Sequence, residues 1–313
     1  MPQKNIPHLP LAVALKKRAM TLDADLIRQL RAADHLSPRL LHGTRVVTKR
    51  LRAWWRLMLP VAGRTPVRHA QKRLTAVAQM LAPVRDAHVM HQMLQRLSPR
   101  TAAGPVRTAL EAVARQLTTA AAEGAAPAFP QLRDQLIRAL RSDAAAWRRL
   151  PVALIPDELI VAELARTYRR ARRRGRRAAR RDAARDLHAW RMWVKAHVHQ
   201  LEFLNAERRG RWAAMVRQLA RLGRLLGRGQ DLAILDGWVD WRASTGALNR
   251  KAAARVHTLL RRRQDELRTR CERLGRRLFA AKPKDFASRL AGPGRPPAGN
   301  SRRNRPAAVR GKS

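Results

Sequence analysis

The sequence has few of the features that mark secreted, cysteine-stabilised or membrane proteins. Its 313 residues contain a single cysteine, Cys271, which excludes a disulfide framework and a cysteine-rich zinc site. No apolar run approaches the roughly 18 residues that a membrane-spanning helix needs. The apolar stretch Leu9–Leu15 is followed at once by basic residues, the reverse of the order in a signal peptide. We therefore expect a soluble cytoplasmic protein.

Acidic residues are also scarce, with 22 Asp and Glu against 67 Lys and Arg, and the formal net charge is +45. Hydrophobic residues still make up 45% of the chain, which is enough for a sizeable core and argues against a wholly disordered basic protein. A charge balance so far from neutral predicts a polyanionic partner.

Strand-forming patterns are missing as well. Tyr and Phe are rare and no alternating β-branched runs occur, whereas the good helix formers Ala, Leu and Arg dominate. The composition predicts an all-α fold in which proline and glycine separate the helices. In the second half this reasoning predicts two successive helices, at about Arg209–Leu226 and Asp231–Arg242.

Pro151 and Pro156 mark a boundary near the middle of the chain. We expect one helical unit over about residues 9–150 and a second over about 156–281. Residues 282–313 are basic, rich in proline and without apolar periodicity, which predicts a disordered basic tail.

A short pattern occurs twice. His-x-x-Arg-x-x-x-Lys begins at His42 in the first half and at His188 in the second. An isolated aspartate follows each copy at nearly the same distance, Asp86 and Asp231, and we expect each to cap a helix or to pair with an arginine. Two landmarks repeated in the same order predict an internal duplication, with two similar helical bundles packed as a pseudo-symmetric pair.

Cations recur at spacings that place them on one face of a helix. A solvated charged face is the usual explanation, but residues 36–110 contain fourteen Lys or Arg and one carboxylate, so ion-pair partners are few. The planar guanidinium suits phosphate oxygens, which it binds with two parallel hydrogen bonds. The first row is His42, Arg45, Lys49 and Arg52, the second is His188, Arg191, Lys195 and His199, and the third is Arg217, Arg221, Arg224 and Arg228.

Other features leave alternatives open. His42 and His188 are either cations beside a polyanion or neutral side chains bonded to the backbone. His197 falls among apolar residues, and we expect it in the core. The run 166–185 holds eleven arginines, of which we expect part to be solvated and part to extend an anion-binding surface.

No constellation predicts catalysis, a metal or a cofactor. His88 and His91 have ligand-like spacing, but no nearby acid or cysteine completes a metal site. The sequence contains no phosphate-binding glycine loop and no cluster of carboxylates for metal-assisted hydrolysis. Trp190 and Trp193 lie on the apolar side of their helix, where core packing is a better explanation than stacking on bases.

Together, these motifs resemble the CHAD family, whose name stands for conserved histidine α-helical domain. The resemblance rests on His42–Arg52, on Pro83–Asp86, and on His188 followed by Leu225–Asp231, and it covers about residues 9–281. The second motif departs from the family pattern, because Val198 stands where a cation is usual and His199 follows it. We therefore expect the first motif helix to contribute more than the second.

The resemblance implies an all-α fold of two four-helix bundles with pseudo-two-fold symmetry. It also implies binding of inorganic polyphosphate in a basic groove or pore, and association with polyphosphate granules in the cytoplasm. The residues carried over by position are His42, Arg45, Lys49, Arg50, Arg52, His188, Arg191 and Lys195.

Three functions are consistent with the residues. Non-enzymatic binding of polyphosphate is the leading hypothesis. General nucleic-acid binding is the alternative, to which the basic tail would contribute, although no zinc-finger spacing or aromatic RNA-binding motif is present. A phosphatase or kinase ranks last.

Overall fold

The computed structural model describes residues 9–97, 104–123, 128–181 and 184–291, which form helices and their connections with no strand among them. The predicted all-α fold is confirmed. No helix in the described ranges is long and apolar enough to cross a membrane. The helices are α1 Leu11–Arg31, α2 Pro38–Leu57, α3 Leu59–Ala62, α4 Arg64–Met80, α5 Ala82–Leu97, α6 Gly104–Glu123, α7 Phe129–Arg148, α8 Asp157–Arg180, α9 Ala184–Glu207, α10 Ala213–Ser244, α11 Arg250–Leu278 and α12 Pro283–Ala291.

Local sequence signals account for where the principal helices begin. Ser37 caps α2 by accepting a hydrogen bond from the Leu40 amide at 3.2 Å, and proline follows it at the first helical position. Asn249 caps α11 in the same way. Asp157 opens α8 and also accepts a bond from the Leu11 amide at 2.7 Å, which ties the first turn of α1 to the second half of the chain.

Helices α1, α2, α4 and α7 form the first bundle, and one buried polar cluster joins all four. Asp143 of α7 accepts hydrogen bonds from the indole Nε1 atoms of Trp55 at 3.1 Å and Trp147 at 3.0 Å, and it pairs with Arg73 at 3.2 Å. Asp23 of α1 is fully buried beside it. Burial and the Asp143 charge raise the pKa of Asp23 to about 9, so this carboxyl is protonated at neutral pH.

Helices α8, α9, α10 and α11 form the second bundle. Because α10 and α11 are long, they extend beyond it, and α5 and α6 pack against their outer parts around a separate core that includes Met93, Val113, Leu235 and Leu260. Two helices from the first half of the chain therefore pack against the second half. The internal duplication and the proposed unit boundaries stay predictions.

The predicted break within α10 is wrong, since the helix runs without interruption from Ala213 to Ser244. Glycine costs about 1 kcal/mol relative to alanine inside a helix, but it also lets a neighbouring helix approach. A Cβ atom on Gly223 would lie 3.5 Å from Lys195 Cε, and one on Gly227 would lie 3.9 Å from Arg191 Nε. These glycines therefore face two long side chains of α9, at distances that a Cβ atom would tolerate.

The tail prediction is wrong for its first residues, because α12 lies within 282–313. Phe286 and Leu290 are buried, and the Phe286 ring stacks on Tyr168 with centroids 3.9 Å apart. Only two apolar residues one turn apart hold the helix, which is too few to show periodicity in the sequence. Residues 292–313 lie outside the described part of the chain.

Gly275→Ala is expected to lower the free energy of unfolding by about 1–2 kcal/mol, although alanine is the better helix former. Its Cβ would lie 2.5 Å from Trp190 Cζ2, and the fully buried indole cannot move without disturbing α8. Urea denaturation measures the change. Gly237→Ala in α10 is the matched control, because nothing lies within 4 Å of that Cβ and the substitution should stabilise. Equal stabilisation by both substitutions would contradict the packing argument.

Candidate anion-binding site

The two motif helices, α2 and α9, meet between the bundles and run antiparallel. Trp54 Nε1 donates a hydrogen bond to the His199 carbonyl oxygen at 3.1 Å, and Gln200 Nε2 donates one to the Ala53 carbonyl oxygen at 2.9 Å. We call this contact the α2–α9 crossing. It brings the two predicted rows together, and the rows extend from it in opposite directions.

The first row becomes more buried toward the crossing. His42 is exposed near the start of α2, whereas Arg45 and Lys49 are half-buried and engaged by neighbouring groups. Arg52 is close to the crossing, where burial lowers its pKa. The guanidinium of this arginine has therefore lost much of its hydration, which is the condition in which a phosphate oxygen interacts most strongly with a cation.

Arg50 points to a different side of α2. Its Nη2 atom lies 3.8 Å from Glu202 Oε2, and it lines a groove of about 540 Å³ between α1, α2 and α9. Trp54 and Phe203 form an apolar wall there, with ring centroids 5.8 Å apart. The structure thus separates Arg50 from the row to which the family pattern joins it.

An arginine–tryptophan cluster at the crossing was not predicted from the sequence. The guanidinium carbons of Arg56 on α2 and Arg170 on α8 lie 5.2 Å and 4.8 Å from the centre of the Trp193 ring. Burial, together with repulsion from Arg52 and Arg170, lowers the pKa of Arg56 to about 10. We use the name arginine–tryptophan cluster for Arg52, Arg56, Arg170 and Trp193. It joins two partly buried, desolvated arginines of α2 and an exposed arginine of α8 around a tryptophan of α9.

A second group of cations surrounds Lys195 on α9. Burial lowers the pKa of this ammonium, and Arg191 and Arg224 lower it further, whereas Asp231 and Glu202 oppose the shift. We call these five residues the Lys195 cluster. The structure therefore brings Arg191, Lys195 and one residue of the third row together, with Asp231 near Lys195. Asp231 lies inside α10, and its predicted role as a cap or an arginine partner stays a prediction.

The histidines differ in their surroundings. His188 is exposed, and its Nδ1 lies 2.9 Å from Gln230 Oε1, so its partner is a side chain. His199 Nδ1 lies 3.0 Å from the Glu202 carboxylate. His197 is in the core as predicted, and burial lowers its pKa to about 3, which keeps it neutral. Within the described ranges, no group of three His, Cys, Asp or Glu could hold a metal.

The third row does not act as one unit. Arg217, Arg221, Arg224 and Arg228 are all exposed along α10, and Arg224 alone belongs to the Lys195 cluster. Arg228 instead lines a cavity of about 280 Å³ between α5, α10 and α11. The side chain of Asp86 lies outside the described part of the structure, so its role stays a prediction.

Comparisons with known proteins agree with this architecture. The sequence model of the CHAD domain matches residues 22–240. The crystal structure of the CHAD domain from the plant Ricinus communis is similar at a TM-score of 0.58 and 20% identity, over 88% of this chain and 93% of that one. No curated protein matches. The match spans most of the chain, and the protein therefore belongs to the CHAD domain family.

Proposed function

We propose that this protein binds inorganic polyphosphate without chemical turnover, at the α2–α9 crossing, and that it does so at polyphosphate granules in the cytoplasm. The CHAD family is associated with polyphosphate binding. The observation that carries the proposal is the desolvated positive charge of Arg52 and Arg56 on α2 and Lys195 on α9.

The energetic argument is one of uncompensated charge. Removing a cation from water costs free energy, and repulsion between Arg52, Arg56 and Arg170 adds to that cost. A bound phosphate chain would replace the lost hydration with charge-assisted hydrogen bonds and cancel the repulsion. In the free protein these cations are therefore already close together and partly dehydrated before an anion binds.

A multivalent electrostatic site has a measurable signature. Each contact releases counterions condensed on the polyanion, so the logarithm of the binding constant should fall linearly with the logarithm of salt concentration. The slope reports the number of phosphate contacts. A site with several contacts should lose more than about tenfold in affinity between roughly 50 and 200 mM salt.

The test is a salt-titrated competition with the full chain. Labelled long-chain polyphosphate is bound, and duplex DNA, single-stranded RNA or unlabelled polyphosphate is added at about 150 mM salt. We expect unlabelled polyphosphate to compete at a phosphate concentration about tenfold or more below that of either nucleic acid. Binding energy of about 1.4 kcal/mol corresponds to this factor.

The opposite outcome is equally clear. Equal competition per phosphate by DNA or RNA would identify a general polyanion surface and favour nucleic-acid binding over the proposed function. Release of orthophosphate during the experiment would contradict binding without turnover.

A further inference from the structure

The arginine-rich half of α8 forms one wall of a groove that the α2–α9 crossing does not use. The groove has a volume of about 500 Å³ and lies between α8 and α11. A hydrogen bond crosses from one helix to the other at each end: Arg172 Nε donates to the Phe279 carbonyl oxygen at 2.9 Å, and Arg268 Nη2 donates to the Ala178 carbonyl oxygen at 3.4 Å. These bonds fix its two ends.

The floor of the groove is formed by close packing of a single tryptophan. Trp190 reaches from α9 to two glycines, and a Cβ atom would come within 2.9 Å of its ring on Gly175 and within 2.5 Å on Gly275. The indole is 1% exposed, and its Nε1 has no hydrogen-bond acceptor among the described residues. Because buried donors are rarely unpaired, this floor lacks an acceptor that proteins usually provide.

The walls carry unbalanced positive charge. Arg172, Arg176 and Arg180 lie at i, i+4 and i+8 on α8, and they share one face about 6 Å apart along the helix axis. Arg176 and Arg180 are exposed and form no ion pair or hydrogen bond with the residues that the structure describes. Like charges at this spacing repel each other, so the row is destabilising unless an anion occupies the groove.

One carboxylate is present among the described residues that line the groove, and it is already engaged. Glu272 of α11 pairs with Arg268 at 3.1 Å and lies 4.0 Å from Arg276, one turn later on the same helix. Arg276 and Glu272 of α11 cancel each other, so the net positive charge of the groove comes from the three arginines of α8. Three cations at regular spacing along its length fit a linear anion with several charges better than a single compact ion.

We propose that the groove between α8 and α11 is a second binding site for linear oligophosphate anions. The inference rests on the proposed function, because it assigns the same class of ligand. Trp190 and Lys195 lie about 140° apart around α9, so this helix separates the groove from the Lys195 cluster. A long chain that engages both sites gains affinity through its effective local concentration, whereas a short chain fills each site independently.

The experiment measures tripolyphosphate stoichiometry by calorimetry at about 150 mM salt, together with the affinity for long-chain polyphosphate. We expect two tripolyphosphates per wild-type chain. Arg176→Gln with Arg180→Gln should bind one, and its dissociation constant for long-chain polyphosphate should rise about tenfold. The matched control, Arg107→Gln with Arg255→Gln, removes the same charge at exposed positions of α6 and α11 and should keep both equivalents.

The remaining outcomes separate this inference from the proposed function. If the wild type binds one tripolyphosphate per chain and the groove variant binds the same number, the second site is overturned and the first remains intact. Equal losses in the groove variant and the control would overturn it as well, because binding would then follow net charge. No binding of either phosphate chain by the wild type would overturn both proposals.

Discussion

An Arg56→Met variant is expected to bind long-chain polyphosphate about ten- to a hundredfold more weakly and to be at least as stable as the wild type. A charge-assisted hydrogen bond contributes about 1.5–3 kcal/mol, which corresponds to this loss of affinity. Methionine keeps the unbranched stem that reaches Trp193 and removes the repulsion from Arg52 and Arg170. Replacing a buried charge by an apolar group of similar size is often neutral or stabilising.

Binding titrations and urea denaturation of the same samples test this pair of effects. Arg255→Met is the control, because this exposed arginine lies outside the arginine–tryptophan cluster. If Arg56 has a structural role instead, the variant will be less stable than the wild type. Its apparent affinity will then fall only in proportion to the fraction of protein that remains folded. That result would remove Arg56 from the proposed site.

Replacing Asp23 with Asn is expected to stabilise the protein, and increasingly so as the pH rises. The folded state holds a proton on Asp23 up to a pKa of about 9, whereas the unfolded chain releases it near the ordinary value of 3.8. Between these values the unfolded state binds fewer protons, so the wild type loses up to about 1.4 kcal/mol of stability per pH unit. Below pH 3.8, protonated Asp23 makes its full contribution to stability, and above about pH 9 a further rise in pH removes no more of it.

Urea denaturation at pH 5 and pH 8 measures this linkage. The advantage of Asp23→Asn over the wild type should grow by up to about 4 kcal/mol between the two pH values. Asp25→Asn is the control on the same helix, since Asp25 is partly exposed and pairs with Arg28. Parallel pH profiles for the wild type and Asp23→Asn would show that the buried carboxyl is ionised in the folded protein.

The cationic rows show that helical periodicity predicts which residues share a face of one helix, but not which helices meet. Helical periodicity places Arg52 among the cations on one face of α2. Arg56 follows it by four residues on the same face, so this spacing could have added Arg56 to the first predicted row. Arg170 carried no comparable signal, because no spacing in the sequence relates it to α2. The tryptophan that both contact, Trp193, packs against the core as expected, but it is only partly buried and also lies close to both guanidinium groups.

The helix boundaries show the same limit. The caps of α2 and α11 are local and could be identified from neighbouring residues, whereas the packing of α10 against α9 joins residues that the sequence does not relate. Gly227 signals a break when only its own helix is considered, and the Arg191 side chain that lies against it comes from elsewhere in the chain. Helix α12 was missed because Phe286 is stabilised by a distant aromatic residue, Tyr168.

By itself, the sequence determined the helical class, the excess of positive charge and the faces on which the cations lie, since each follows from composition or from spacing within one helix. Tertiary structure alone decided which cations lose water and which neighbours they meet. Desolvation and repulsion depend on distances between side chains that are far apart in the chain, such as Arg56 and Arg170. Those distances are set when the bundles pack at the α2–α9 crossing.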